Sequence, residues 1–318
     1  MRRFRCEVCG HEVFFDSTSC VRCGTQLGYL WNDDRIASLG PSSRWSRCAN
    51  AGRAGCTWLV SRDAELCESC ALTRTRPADD DLEGLSLFPV AEESKRHLLR
   101  DLARLDFPVV GKAADEASGL AFDLLSSVDA DVTIGHADGI VTIDLAEGDD
   151  SYREKVRRRL AEPYRTMLGH FRHETGHYFE WRLVESTPRI DEARGLFGDE
   201  RADYQEAIDR HYADGSPDDW QDRFISEYAT MHPYEDFAET WAHYLHIHDT
   251  LETAAEFDLI APIDPDLAFD TLVTEVWSPF ATSMNVVNRS LGQRDLYPFV
   301  LPRRVVEKLV FVDSLRRR

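Results

Sequence analysis

The five residues His173-Glu174-Thr175-Gly176-His177 combine two imidazoles and a carboxylate at a spacing that suits zinc chemistry. Residues four apart on a helix project from one face, so His173 and His177 can bind a single ion. Glu174 lies about 100° around the helix from His173, where its carboxylate can reach a water on that ion. Zinc lowers the pKa of such a water toward about 7, and Glu174 would accept its proton as the water attacks a carbonyl. The motif alone leaves open a helix with two unrelated histidines.

A second helix must supply the third metal ligand, and the sequence offers Glu235 and Glu239 within residues 232–245. Their spacing of four places both carboxylates on one helical face. Glu235 is the predicted zinc ligand, and Glu239 would accept the N–H of a ligand histidine and so fix its tautomer. The alternative is the solvated acidic face of an amphipathic helix.

Other side chains near these motifs are weaker candidates. Acidic residues that open a predicted helix at residue 199 favour the positive end of its dipole, but they remain alternative metal ligands. These acids are Asp199, Glu200 and Asp203. His170, three residues before His173, is expected to face outward or to cap its helix. Three later histidines are expected to be structural, namely His243, His246 and His248.

The two motifs together resemble the gluzincins, the HExxH metallopeptidases whose third ligand is a glutamate on a later helix. The segment Glu235-Asp236-Phe237-Ala238-Glu239 is most similar to that of the lethal-factor type. That type has a tyrosine seven residues before the ligand, where it helps to stabilise the oxyanion. Tyr228 has this position here, and the resemblance implies the same role for it. A packed tyrosine without a catalytic role is the alternative.

The whole chain also resembles a bacterial family of zinc-binding metallopeptidases that carry an N-terminal zinc ribbon. The segments that support this resemblance are residues 67–70, 162–165, 169–178, 197–200 and 232–245. The resemblance covers nearly all of the chain. It implies a zincin-like fold and hydrolysis of peptide bonds.

All eight cysteines lie between Cys6 and Cys70, which indicates metal binding rather than disulfides in a chain without a signal sequence. Two C-x-x-C-G knuckles predict a rubredoxin-like zinc ribbon, because the glycine after each knuckle tolerates positive φ. These knuckles contain Cys6, Cys9, Cys20 and Cys23. The remaining thiols, with one short-spaced pair, are Cys48, Cys56, Cys67 and Cys70. Sequential grouping gives two structural tetrathiolate sites, and cross-brace pairing stays open.

These ligand sets predict one catalytic zinc ion and one or two structural zinc ions. The net charge of −20 is uneven: residues 1–76 carry 11 basic and 8 acidic side chains, and the remainder carries 26 and 49. An acidic body repels phosphate backbones, so a nucleic-acid partner is not expected. The sequence has no run of about 18 apolar residues, which argues against a membrane span. The N-terminus has no apolar run after its basic residues, so we expect a cytoplasmic protein.

The order of elements predicts an α+β fold, mostly helical with a small antiparallel sheet, preceded by a small zinc-ribbon domain. The zinc ribbon is assigned to residues 1–76 and the zincin-like domain to residues 77–318. A hairpin is predicted from residues 132–134 and 140–143, and a capping box at 151–154 should start a helix that reaches residue 160. Other helices are predicted at residues 92–105, 163–184, 199–212, 233–247, 267–291 and 303–315.

The sequence therefore predicts a zinc hydrolase that cleaves peptide bonds, with a peptide or protein as substrate. Residues 140–143 are expected to form the edge strand along which an extended peptide pairs before the catalytic helix. Two alternatives remain open. One is a catalytically idle scaffold whose zinc ribbon binds a protein or a nucleic acid, and the other is a zinc hydrolase acting on a non-peptide amide or ester.

Overall fold

The N-terminal part consists of short antiparallel hairpins, in a computed structural model that describes residues 1–127, 132, 134–149, 152–153 and 166–316. The paired strands are β1 (Phe4–Arg5) with β2 (Glu12–Val13), β3 (Gln26–Leu30) with β4 (Arg35–Leu39), and β5 (Trp45–Arg47) with β6 (Leu59–Ser61). Their buried core is aromatic: the ring of Tyr29 lies 4.6 Å from Phe15 and 5.2 Å from Trp58. Gly28 permits β3 to approach β6, because a Cβ there would lie 2.5 Å from the Leu59 side chain.

A four-stranded sheet follows, made of β7 (Thr73–Thr75), β8 (Ala121–Leu125), β9 (Gly135–Ala137) and β10 (Ile140–Asp144). Its order is β7-β8-β10-β9. The expected antiparallel sheet is wrong in detail, because β8 pairs in parallel with both β7 and β10, and only β9 and β10 are antiparallel. The α+β class is confirmed.

The predicted hairpin is present, with its first strand three residues later than expected. Asp138 and Gly139 form its turn with φ of 50° and 81°, the left-handed conformation of a two-residue hairpin turn. The prediction that residues 140–143 form an edge strand is wrong, because β10 lies between β8 and β9. Among the described residues, the edge strands of this sheet are β7 and β9.

The rest of the described chain is mainly helical. The helices are α1 (Glu68–Ala71), α2 (Leu82–Arg104), α3 (Met167–Glu180), α4 (Ile190–Phe197), α5 (Tyr204–Asp214), α6 (Pro233–Glu256), α7 (Phe269–Thr271), α8 (Ser278–Ser290) and α9 (Arg303–Asp313). π-Helical turns at Trp181–Glu185 and Leu272–Trp277 extend α3 and join α7 to α8. No described helix is both long and apolar enough to cross a membrane.

Local capping explains where several helices begin. The Asp81 side chain accepts from Gly84 N, so α2 starts at Leu82, ten residues before the predicted helix. Thr166 caps α3 and Asp203 caps α5 in the same way. Helix α4 was not predicted. The capping box at 151–154, the helix to residue 160 and the start of the helix predicted from residue 163 lie outside the described residues.

Helices α3 and α6 cross in close contact. A Cβ at Gly176 would lie 2.8 Å from Ala238 Cα and 3.2 Å from its Cβ, so only glycine fits at this point of α3. Next to this contact, the Trp241 ring of α6 stacks on Phe179 of α3 with centroids 4.6 Å apart. The two helices that carry the sequence motifs are therefore packed face to face.

The Gly176 contact predicts a stability difference between two glycine-to-alanine variants. In Gly176→Ala the new methyl meets backbone atoms of α6 that no rotamer change can move. The control is Gly195→Ala in α4, where nothing lies within 4 Å of the new methyl. Both gain the same helix propensity, so Gly176→Ala should be less stable than Gly195→Ala by about 1–3 kcal/mol in urea unfolding. Equal stability would show that the helices are not in this contact.

Candidate metal centres

Helices α3 and α6 bring His173, His177 and Glu235 together, with one donor atom from each within 4.8 Å of the others. Glu235 Oε2 lies 3.0 Å from His173 Nε2 and 3.7 Å from His177 Nε2. A tetrahedral zinc with bonds of about 2.0–2.2 Å holds its ligand atoms about 3.3–3.5 Å apart. The three residues therefore fit one zinc ion, with a fourth position left for a water or a substrate.

Glu239 orients the first of these histidines. Its Oε1 lies 2.8 Å from His173 Nδ1, so the N–H at Nδ1 donates to the carboxylate and leaves Nε2 for a metal. The other oxygen of Glu239 accepts from the Ser226 hydroxyl at 2.6 Å, and that hydroxyl also accepts from Ala229 N. Sequence reasoning did not find Ser226, because a serine in a loop carries no spacing signal.

Burial and neighbouring charges shift the pKa values of the three residues in different directions. Burial opposes charge on His173, but hydrogen bonds to Glu235 and Glu239 raise its pKa well above the usual value. Burial lowers the pKa of His177 to about 4. Burial would raise the pKa of Glu235, but both histidines and Tyr204 hold it at about 2. An anionic carboxylate facing two imidazoles is the donor set of a divalent transition metal.

Glu174 faces the same cleft from α3. Its side chain is 7% exposed, and burial raises its pKa to about 7. Among the described residues, no group forms a hydrogen bond with its buried Oε2. A buried carboxylate oxygen without a protein partner, next to a candidate metal site, suits a role with water or substrate.

Two tyrosines border the site. The ring of Tyr228, in a short 3₁₀ turn, lies 5.8 Å from the His173 ring. Burial is the main cause of its pKa lying well above the usual value, so its hydroxyl stays protonated. Tyr204, at the start of α5, donates to Glu235 Oε1 at 2.8 Å. No pattern in the sequence pointed to Tyr204.

A cleft of about 910 Å³ opens at these residues. Gly135 of β9 lines it on one side, and Trp220, Phe224, Phe299 and Val300 add an apolar wall. The cleft therefore offers an edge strand, a polar centre and an apolar surface. Such a combination is typical of a binding site for an extended chain with apolar side chains.

The weaker candidates have partners other than the proposed zinc ligands. His170 is paired with Glu147 at 3.3 Å, and Glu200 is bound by Arg194. Asp199 pairs with Arg201 at the surface, and Asp203 caps α5 through Glu206 N. The later histidines pack among aromatic rings: His243 and His246 against Tyr297, and His248 against Phe269. His170, His243 and His246 nevertheless line the cleft.

The cysteines form two groups of four in sequential order, and all eight are free thiols. In the first group, Cys6 Sγ lies 3.7 Å from Cys23 Sγ, and Cys9 Sγ lies 3.6 Å from Cys20 Sγ. A tetrahedral Zn(Cys)₄ centre with bonds of about 2.3 Å has sulfurs about 3.8 Å apart. The glycines that follow the knuckles have the expected positive φ, 70° at Gly10 and 72° at Gly24. The geometry therefore fits a structural zinc ion.

The second cysteine group consists of Cys48, Cys56, Cys67 and Cys70, all at most 2% exposed. Cys56 Sγ lies 3.5 Å from Cys67 Sγ, and the backbone N–H of Cys67 donates to Cys48 Sγ at 3.4 Å. Four thiolates around one zinc carry a net charge of about −2, which is costly at this depth without nearby positive charge.

Arg96 of helix α2 supplies positive charge next to this group. Arg96, which is 2% exposed, donates to the carbonyl oxygens of Ala54 and Gly55, next to Cys56. Lys95, which is fully buried, pairs with Glu92 at 2.7 Å. Glu92 Oε2 in turn lies 4.0 Å from Cys70 Sγ. The second cysteine group is therefore built into α2, and one hydrophobic core runs from Phe4 to Val312.

Comparisons with known proteins agree with this arrangement. Residues 85–315 match the family described as "putative zinc-binding metallo-peptidase", and residues 3–81 match a zinc-ribbon domain family. The chain belongs to this zinc-binding metallopeptidase family, which confirms the resemblance seen in the sequence. Membership supports zinc binding but leaves the activity itself to be tested.

Three relatives match the chain over nearly its whole length. One protein of Mycobacterium bovis and two of Mycobacterium tuberculosis, each named as an uncharacterized protein, are 48% identical to it over 325 residues. The alignments cover 99% of this chain and 95% of each relative. No solved structure matches the chain.

The role assigned to Glu239 predicts a loss of zinc affinity in Glu239→Ala. Without the carboxylate, His173 Nδ1 loses the partner that fixes its tautomer, so affinity should fall about 10- to 100-fold. The matched control is Glu227→Ala, since Glu227 lines the same cleft but bonds Ser216. Competition with a chromophoric chelator measures the exchangeable zinc. Equal affinities in both variants would remove Glu239 from the site.

The buried pair of Lys95 and Glu92 predicts a large loss of stability in Lys95→Met. The variant leaves a buried carboxylate beside the cysteine group without its ammonium partner, which should cost about 3–5 kcal/mol in urea unfolding. The double variant Lys95→Met/Glu92→Leu should recover most of this loss, because it removes the unpaired charge. The control Lys112→Met changes a surface lysine. If Lys95→Met is as stable as this control, the Glu92 carboxylate does not depend on Lys95 for its charge balance.

Proposed function

We propose that the protein hydrolyses peptide bonds with a zinc ion held by His173, His177 and Glu235, in the manner of a gluzincin. One observation carries the proposal: donor atoms from residues 62 positions apart in the chain converge with tetrahedral spacing beside a large cleft. A zinc ion at this place supplies Lewis-acid activation of water and polarises the carbonyl of the substrate.

Glu174 acts as the general base. Its Oε2 has no hydrogen-bond partner among the described residues and lies next to the proposed ligands, so it is available to a water in the cleft. The carboxylate accepts a proton from the attacking water and delivers it to the nitrogen that leaves. Neither step requires Glu174 to touch the ion.

Tyr228 is the proposed oxyanion donor. It lines the cleft beside His173, and burial keeps its hydroxyl protonated. A phenol aimed at the carbonyl oxygen would stabilise the negative charge that develops there. Glu239 contributes indirectly, since it holds the ring of His173.

Strand β9 is the proposed docking edge for an extended substrate, in place of the strand expected at residues 140–143. Gly135 of β9 lines the cleft, and β10 is the strand that pairs with β9 among the described residues. A peptide added to this edge would form main-chain hydrogen bonds. Its side chains would meet the apolar wall that includes Phe224 and Phe299.

We assign the two cysteine groups to structural zinc ions, because four protein ligands leave no open coordination position. Tetrathiolate sites need reduced thiols, so we place the protein in the cytoplasm. The zinc ribbon exposes Val8 and Val21, each inside a knuckle, and these apolar side chains suit a protein partner better than a nucleic acid.

The proposal predicts that Glu174→Gln keeps its zinc and its fold but loses activity about 10²- to 10⁴-fold. Glutamine retains the shape of the side chain and cannot accept the proton. The measurement combines a metal count with cleavage of a quenched-fluorescence peptide library and of unfolded casein. Glu206→Gln, at an exposed position of α5, is the matched control and should cleave like the wild type.

The outcomes separate the competing functions. Hydrolysis that persists in Glu174→Gln would exclude this residue as the base. A wild-type protein that binds zinc at His173 and His177 but cleaves no peptide, amide or ester would favour the idle scaffold. Cleavage of amides or esters without cleavage of peptides would favour the non-peptide hydrolase.

A further inference from the structure

The two oxygens of Glu235 have different partners. Oε2 faces both imidazoles, at 3.0 Å from His173 Nε2 and 3.7 Å from His177 Nε2. Oε1 accepts a hydrogen bond from the Tyr204 hydroxyl at 2.8 Å. Oε2 is therefore the oxygen that faces the position of an ion shared by both histidines, and Oε1 is held by the phenol.

Tyr204 is held in place by its surroundings. Its ring lies edge-on against the His232 ring, with centroids 5.1 Å apart. His232 Nε2 donates to the carbonyl of Ala202 at 3.0 Å, while its Nδ1 accepts from Tyr234 N at 3.2 Å and caps α6. The turn before α5 is thus joined to the start of α6, which begins two residues before Glu235.

Catalytic zinc sites hold three protein ligand atoms and one water. A carboxylate that turned to bind zinc through both oxygens would add a fifth ligand atom beside that water and weaken the activation of the water by the metal. A phenol bonded to the second oxygen opposes that turn. Tyr204 is suited to this task because it is part of the cleft wall and reaches Oε1 directly.

We propose that Tyr204 is a positioning residue that restricts Glu235 to binding zinc through Oε2 alone and so keeps the site four-coordinate, with water as the fourth ligand. This inference rests on the proposed function. The alternative is a purely structural bond that holds α5, a helix in which Ala207 is the buried residue, against the body. Loss of a structural bond would reduce stability and leave the metal coordination unchanged.

The experiment replaces the exchangeable zinc by Co²⁺ in wild-type and Tyr204→Phe proteins, after mild chelation that leaves the cysteine-bound zinc in place. Phenylalanine keeps the ring against His232 and removes only the hydroxyl. His177→Ala, treated in the same way, provides the blank for any Co²⁺ at other sites. The visible d–d absorption of Co²⁺ reports coordination number, because four-coordinate Co²⁺ absorbs more strongly than five-coordinate Co²⁺.

We expect the absorption to fall several-fold in Tyr204→Phe, and kcat of the zinc form to fall about 10- to 100-fold with KM little changed. Circular dichroism establishes that the variant is folded. Tyr212→Phe, a change of an exposed tyrosine on the same helix, should retain the wild-type Co²⁺ spectrum.

A wild-type spectrum in folded Tyr204→Phe would overturn this inference, whatever its activity. If the wild-type spectrum equals that of the His177→Ala blank, the proposed metal site itself is wrong. The two failures are therefore distinguishable.

Discussion

The close contact between α3 and α6 is the constraint on which the rest of the site depends. Gly176 lies between Glu174 and His177, and Ala238 lies between Glu235 and Glu239, so the residues that permit the contact are inside the two motifs. Helices usually pack with axes about 8–10 Å apart, and small side chains are needed at the lower end of this range. The glycine of the first motif therefore has a steric role that is separate from metal binding.

Polar contacts join α3 and α6 to a third helix, α2. Arg172, directly before His173, donates to Asp101 of α2 at 2.9 Å and to Asp249 of α6 at 2.8 Å. A guanidinium between two carboxylates fixes the relative position of the three helices, because its hydrogen bonds are directional. Apolar packing alone would allow the helices to slide past one another. The orientation of His173 therefore depends on Glu235 and Glu239, which contact its two ring nitrogens, and on the preceding residue, Arg172.

The sequence predicted correctly the features that depend on residues close together in the chain. Residues four apart on a helix placed His173 with His177, and the glycines after the knuckles, Gly10 and Gly24, have the positive φ that their position required. Other features depend on contacts between distant segments. The inner position of β10 arises from parallel pairing with β8, and no turn motif in the sequence indicates that pairing. Tyr204 reaches Glu235 across 31 residues, and a single tyrosine at the start of a helix has no recognisable spacing.

Helix α2 contacts both the loop of the second cysteine group and the helix that carries His173. Its Arg96 contacts the loop next to Cys56, its Lys95 pairs with the Glu92 that lies beside Cys70, and Asp101, one to two turns later, accepts a hydrogen bond from Arg172. An exchange of the N-terminal ribbon between members of the family would therefore separate thiolates from the charges that balance them, unless α2 is exchanged with it. The ribbon and this helix should be inherited together, because a recombination point between them would join mismatched halves of one electrostatic unit.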